Sequence, residues 1–204
     1  MESDNRTQRR KEETRSKIIS TAIELFRRHG FDPVTMEQIA AQADIAKGTL
    51  YNHFPVKEAI LEEFVRRSFA GRSAERLAQA RALPDTRARM SAYLLELIAG
   101  IQRGPELFER YFSYRIRQML ALRRDESHAS GFSELETEII RLGQAAGELR
   151  ADLPLSLLLA LFEFTFIEIA QSYYADPAGF DPRLVSEQCI DLFMCGAQRK
   201  DQSS

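Results

Sequence analysis

Apolar side chains along this chain recur every three or four positions, not every second one, so the elements it predicts are helices. Over residues 14–29, Ile18, Ala22, Leu25, Phe26 and His29 fall on one stripe, and Gly30 follows where a helix takes its C-terminal glycine. Two short helices are predicted over 36–43 and 47–54. Thr35 and Gln38 make a capping box for the first, Asp44, Ile45 and Ala46 form the turn, and Pro55 ends the second. One long helix is predicted over 56–81. Further helices are predicted over 85–101, over 105–119 opening on Pro105, and over 132–146, 154–174 and 182–197. The charged stretch 123–131 and residues 147–154 read as connectors. The expected fold class is all-α.

Composition agrees. Alanine and leucine are abundant and valine is scarce, which disfavours a sheet. The chain has 204 residues, 44% hydrophobic and 28% charged, with a net charge of −2. That describes a globular protein and excludes both a uniformly basic coat protein and an acidic tail. Cys189 and Cys195 stand about 240° apart on one helix and cannot bridge within it, so they read as two small buried hydrophobes in a reducing cytoplasm. The polar N-terminus is not a signal peptide. The longest apolar run, residues 153–170, is interrupted by Glu163 and Glu168 and reads as a buried helix of a soluble protein, with no membrane partner. Arg6, Arg9, Arg10, Lys11, Arg15 and Lys17 crowd the start of the first helix. Residues 1–13 are therefore expected to be a flexible basic arm able to track phosphates, although Glu12 and Glu13 dilute its charge.

Residues 35–54 carry the chemistry. Two helices of about eight residues around a three-residue turn have the proportions of a helix-turn-helix. Ala40 and Ala43 permit a close crossing, and Ile39, Ile45 and Leu50 fill the angle. The second helix then presents Lys47, Gly48, Thr49, Tyr51, Asn52 and His53, on a helix of a width that enters a major groove about 12 Å across. Ile18-x3-Ala22-x2-Leu25-Phe26-x3-Gly30-Phe31, Thr35-x3-Ile39-Ala40-x2-Ala43 and Lys47-Gly48-Thr49-Leu50-Tyr51-x-His53-Phe54-x2-Lys57-Glu58 follow one another over residues 14–61. This segment resembles the DNA-binding domain of the TetR family of bacterial transcription repressors. Two positions depart from the family pattern. Asp44 replaces the usual turn glycine, which a residue tolerant of left-handed geometry can do. Ala46 replaces the usual serine cap, at a cost of about 1 kcal/mol. The resemblance implies that Lys47, Gly48, Thr49 and Asn52 face base edges, while Thr35, Tyr51, His53 and Lys57 grip phosphates.

The resemblance further implies a DNA-binding domain over 14–56 and a helical ligand-binding and dimerisation domain over 57–199, working as a homodimer on palindromic operator DNA. The residues support this. The helix over 154–174 is apolar almost all round and needs covering, and the helix over 182–197 is its natural companion, so the two together suggest a four-helix dimer interface. Tyr93, Phe108, Tyr111, Phe112 and Phe166 are core packing or the wall of a pocket for a small hydrophobic effector. Glu163, in the most apolar helix, needs either Arg115 or Arg117 as an ion partner or a ligand donor. The expected function is a cytoplasmic repressor released by ligand, with an activator or co-repressor-type regulator as the alternative. A helical enzyme or adaptor is the rival class. No nucleotide, nucleophile-elbow or zinc motif is present, and His29, His53 and His128 share no ligand spacing, so neither a catalytic residue, a cofactor nor a metal is expected.

Overall fold

The computed structural model describes residues 2–71, 73–120 and 131–197. Among these the chain forms ten helices and no β-strand. They are α1 (Glu2–His29), α2 (Met36–Gln42), α3 (Lys47–His53), α4 (Lys57–Ala70), α5 (Ser73–Ala82), α6 (Thr86–Arg103), α7 (Pro105–Leu120), α8 (Gly131–Ala145), α9 (Leu155–Ala175) and α10 (Pro182–Ala197). The loop expected over 123–131 falls, but for Gly131, outside the described residues, as does His128. The chain divides into two compact units. One draws its described residues from 1–68 and 104–126, the other from 69–103 and 127–204. The division expected at residues 56/57 is therefore not the one the packing makes: α4 and α7 belong with the helix-turn-helix.

In the first unit, Ile18, Ala22, Ile23 and Phe26 of α1 bury against Ile39, Ala40 and Ala43, with Leu50, Phe54, Ile60 and Leu61 closing the core. Gly30 ends α1 at φ 81°, and its amide reaches the Phe26 carbonyl at 3.0 Å, as the glycine signal predicts. His29, placed on the stripe by its spacing, is exposed, because the last turn runs past the core. Ile19 and Ile23 take the inward face instead.

Two expectations are revised here. The arm expected over residues 1–13 is helical from Glu2 onward, as the opening turns of α1. Its early turns have no apolar stripe and are held by charge. The buried Glu63 carboxylate receives Arg66 at 2.5 and 2.8 Å, Arg67 at 2.7 Å and Arg15 at 3.4 Å. Arg67 continues to Glu12 at 2.6 Å and donates to Ser16 at 2.7 Å. The long helix expected over 56–81 is also broken. α4 ends at Ala70, Gly71 forms a turn, and α5 starts at Ser73, with glycine's poor helix propensity marking the break.

In the second unit, α6, α8, α9 and α10 pack around Met90, Leu94, Leu97, Ile98, Ile139, Ile140, Leu158, Phe162, Ile169 and Ile190. Gly143 of α8 is required by this packing, since a Cβ there would stand 2.5 Å from the Thr86 hydroxyl. α9 was expected to be buried on nearly every face. It buries Leu158, Phe162, Ile169 and Ala170 but exposes Leu157, Leu161 and Phe164 by 43–54%. By length and composition it could cross a membrane, with a mean hydropathy of 1.5. α10 adds exposed Leu184 and Leu192, and both cysteines are free thiols on it, Cys195 exposed rather than buried.

Burial alone would raise the Glu63 pKa, but the bonds from Arg66, Arg67 and Arg15 overcome this and bring it down from 4.5 to about 2. A depressed carboxyl contributes stability that is present above its unfolded value and lost as pH falls through the folded one. Glu63→Gln should therefore cost on the order of 3 kcal/mol at pH 7. It should also flatten the loss of stability between pH 4.5 and 2. Denaturant titrations at several pH values check both.

Candidate nucleic-acid interface

The short helices are set by local chemistry. Thr35 Oγ1 accepts from the Gln38 amide at 3.2 Å and Gln38 Oε1 accepts from the Thr35 amide at 2.9 Å, which completes the capping box. Both acceptors serve the box, and the threonine hydroxyl keeps its own proton to donate. α2 ends through Asp44, at φ 50° the one described non-glycine residue with positive φ. The Asp44 amide reaches the Ala41 carbonyl at 3.1 Å and the Ile45 amide reaches Ala40 at 3.0 Å, the paired bonds of a Schellman end. Aspartate thus performs the turn role of the glycine it replaces. Ala46 caps α3 with no side-chain hydrogen bond, as expected of alanine.

Only Leu50 of α3 is buried. Lys47, Gly48, Tyr51 and Asn52 are exposed, Tyr51 by 45%, while Thr49 and His53 are half-buried. A Cβ on Gly48 would meet nothing within 4 Å, so the protein's own packing does not require glycine there. The expected base-facing and phosphate-facing residues of α3 thus share one short helix that gives up little to the core. Burial, then the charges of Arg15 and Lys11, hold the His53 pKa below its usual value, and the ring is neutral at pH 7. Its Nδ1 is buried with no hydrogen-bond partner. Leaving an acceptor there is cheaper than burying an unpaired N–H donor, so the proton sits on Nε2.

Lys57, expected from the resemblance to grip a phosphate, is engaged within the chain itself. Its ammonium donates to the carbonyls of Phe31 at 2.8 Å, Asp32 at 3.0 Å and Val34 at 3.1 Å, and lies 4.5 Å from the Phe31 ring centroid. An ammonium has three protons, and these three acceptors use them all. The loop between α1 and α2 is also held from α7, where Arg110 meets Asp32 at 2.5 Å.

One residue at this surface escaped the sequence reading. Glu37, in the first turn of α2, stands 3.2 Å from Lys47. Its carboxyl is held below the usual range by its own backbone amide first, then by Lys47, with a smaller contribution from Tyr51. The α2–α3 crossing brings these residues together. The acidic residue two after the cap was the only sequence signal of its place.

The effector residues expected from the aromatic pattern separate. Phe108, Tyr111, Phe112 and Arg115 lie on α7 in the first unit, and Tyr93, Glu163 and Phe166 lie in the second. Phe108 stacks with Phe112 and meets Tyr111 edge-on, with centroids 6.2 and 5.4 Å away. Arg115 reaches Glu62 at 3.5 Å. Buried Tyr93 donates its hydroxyl proton to Glu136 and packs 5.5 Å from Phe162, which lies 5.8 Å from Phe193. Glu163 and Phe166 are half-buried. The buried polar residues Arg76, Arg89 and Glu136 were not anticipated. Arg76 holds Glu96 at 2.5 Å, and Arg89 donates to the Ala80 and Leu83 carbonyls while its Nη1 is buried without a partner.

Residues 18–64 match the family model of the bacterial regulatory proteins, tetR family. In that segment the chain is similar to the DNA-binding domain of TetR-family regulators. Over 100 residues, 48% of this chain, it is 33% identical to the transcriptional repressor KstR of Rhodococcus jostii. The match spans 45% of KstR, so the chain covers less than half of that relative's length. The fold extends further. The crystal structure of Thermus thermophilus FadR, a TetR-family repressor in complex with lauroyl-CoA, aligns with 93% of this chain and 98% of its own at a TM-score of 0.71 and 26% identity. Bacillus subtilis FadR in complex with stearoyl-CoA aligns with 90% of this chain and 99% of its own at a TM-score of 0.59 and 20% identity, which shows a shared fold.

Lys57→Met keeps the aliphatic stem and removes the ammonium, leaving three carbonyls without that donor. Unfolding should become easier by about 1–3 kcal/mol. The salt dependence of DNA binding should be unchanged. A slope flattened by a full unit would return Lys57 to the phosphate contacts.

Proposed function

We propose that the protein is a ligand-responsive repressor that works as a homodimer, grips palindromic operator DNA with α3 and releases it when a small hydrophobic effector binds. The polar face of α3 supports this most directly. Lys47, Gly48, Thr49, Tyr51 and Asn52 contribute little to folding, yet they lie together on one helix held by a capping box and a Schellman turn. In this reading Lys47 suits guanine, Asn52 suits adenine and the Thr49 methyl suits thymine. Tyr51, the Thr35 hydroxyl and His53 Nε2–H donate to phosphates.

The dimer reading rests on α9 and α10. Leu157, Leu161 and Phe164 recur at helical spacing, and Leu184 and Leu192 stand on the companion helix. A second copy of the same pair would cover them about a two-fold axis. An apolar helix with one exposed side is then the half of an interface in the cytoplasm, not a membrane span. A dimer also supplies two recognition helices, so the operator's half-sites repeat at their spacing.

The effector reading rests on the second unit's aromatic interior around Tyr93, Phe162 and Phe193, with buried Arg89 Nη1 as a polar donor in the same unit. Likeness to the lauroyl-CoA complex makes a long acyl thioester the first compound to test. α4 and α7 carry the chain between the units, and both hold the loop ahead of α2, through Lys57 and Arg110. An effector that displaces either helix would move α2 and α3.

Two measurements test the reading. In binding titrations on the chain's own upstream region, Asn52→Ala should lose about 1–3 kcal/mol of discrimination at one base pair. Glu37→Gln, which removes an anion beside Lys47, should instead tighten binding to every duplex and steepen the salt slope by about one unit. If both variants change affinity alike on all sequences, the assignment of α3 to base reading is wrong. Lauroyl-CoA should bind the operator-bound protein more weakly than the free protein, and operator should be weakened by lauroyl-CoA by the same factor. Equal affinities with and without operator exclude that effector as the releasing ligand.

A further inference from the structure

We propose that Arg15 is a positioning residue for base reading: it meets no base, and its guanidinium sets the C-terminal end of α3 against α4. The proposal rests on the reading of α3 as the recognition helix. It starts from the unequal support of that helix. The start of α3 is fixed by the turn at Asp44, and Leu50 is its one buried residue. Its end is held by Phe54, whose amide closes the last turn on the Leu50 carbonyl at 2.9 Å and whose ring is buried. Pro55 follows and has no amide hydrogen with which to extend the helix. How the end of α3 lies therefore depends on what packs around the Phe54 ring.

Arg15, half-buried on α1, is one such group. Its guanidinium carbon lies 4.5 Å from the centroid of the Phe54 ring, and its Nη2 stands 3.4 Å from the buried Glu63 of α4. A guanidinium is planar, so one face can cover an aromatic ring while the N–H groups at its edge reach a carboxylate. A lysine ammonium is a compact point charge without such a face, and it cannot serve both partners in the same way. Glu63 is itself held on its own helix, by Arg66 at 2.5 and 2.8 Å and by Arg67 at 2.7 Å. The acceptor that Arg15 reaches is thus fixed to α4. Arg15 also serves the last turn of α3 electrostatically: after burial, its charge is the next cause of the lowered His53 pKa.

The end of α3 matters most for Asn52, two residues before Phe54, whereas Lys47 opens the helix beside the Asp44 turn. A side chain that bonds a base edge needs distance and angle together, so a small tilt of the helix end weakens it. Loss of Arg15 should therefore reach Asn52 and spare Lys47. A phosphate contact made by Arg15 would behave otherwise, adding affinity on every sequence alike and adding to the salt dependence.

The test uses the full chain with Arg15→Gln or Arg15→Lys and two probes, the duplex that the wild-type chain selects from a randomised pool and a random-sequence duplex of equal length. Glu63 keeps Arg66 and Arg67 in both variants, so both should stay folded, which thermal unfolding checks. Preference for the selected duplex should fall on the order of tenfold in each variant. In the Arg15→Lys background, Asn52→Ala should then cost little further preference, while Lys47→Ala should cost as much as it does in the wild-type chain. Arg15→Gln should leave the slope of log affinity against log salt on the random duplex nearly unchanged. A slope flattened by about 0.9 makes Arg15 a phosphate contact and overturns the proposal. So does full preference in Arg15→Lys, or effects of Arg15 and Asn52 that simply multiply. Each of these outcomes leaves the recognition-helix reading standing. If the wild-type chain selects no sequence, both fall together.

Discussion

The DNA-binding unit is closed by one ammonium group. Lys57 gathers the carbonyls of Phe31, Asp32 and Val34, the main chain between α1 and α2. A connection this short between helices has few internal hydrogen bonds, so its carbonyls must find water or a donor. Supplying that donor from the first residue of α4 fixes three things at once. It sets the entry of α2, it seats Phe31 on Phe26 with centroids 4.7 Å apart, and it ties the start of α4 to the same loop. The α2–α3 pair then sits on a foundation that α4 cannot leave without exposing those carbonyls.

From that foundation outward, the balance of interactions shifts from folding to recognition. α1 and α2 are specified by burial and caps. α3 has one buried residue, no side-chain cap and an exposed polar face. A seven-residue helix with so little support is marginal in isolation. It is kept by the Asp44 turn before it and by Phe54, buried to 1% exposure, after it. Glu37 marks the opposite tendency. An anion beside Lys47 lowers the positive charge of this face, and under the proposed base-reading role of α3 it would reduce attraction to phosphates on every sequence alike.

What could be read in the sequence was what is decided locally. Gly30, the Thr35–Gln38 box, the turn at Asp44 and the uncapped start at Ala46 each depend on a few consecutive residues, and each lies where its spacing put it. What could not be read depends on residues distant in the chain. The early turns of α1 have no apolar period, and their helix is held by Arg67, 51 positions from Ser16. The bonds from Lys57 to three main-chain carbonyls were not legible, because no sequence pattern displays such acceptors. Arg110 reaches across 78 positions to Asp32, so α7 could not be assigned to the DNA-binding unit from its own aromatic stripe. The break at Gly71 was visible as a glycine, but the apolar period continued through it. α9 was legible as a helix needing cover on every side. That its outer side stays open in one chain follows from packing that a sequence does not count.

The same loop explains how an otherwise static arrangement could be switched. α4 leaves the DNA-binding unit and α7 returns to it, and each holds the α1–α2 connection by a different group, an ammonium on carbonyls and a guanidinium on the Asp32 carboxylate. The Lys57 contact is the firmer of the two, three hydrogen bonds from one ammonium, because the Arg110–Asp32 pair lies at the surface where solvent screens it. A displacement of either helix must move the loop, and with it the N-terminus of α2, or break the hydrogen bonds. Ile39, Ala40, Ala43 and Leu50 are all buried, so α2 and α3 share the core of this unit. In the proposed switch, such a movement would reach α3 as a displacement of the α2–α3 pair. In a dimer, two such pairs must match one fixed spacing on DNA, and a shift of a few ångström between them is enough to lose it.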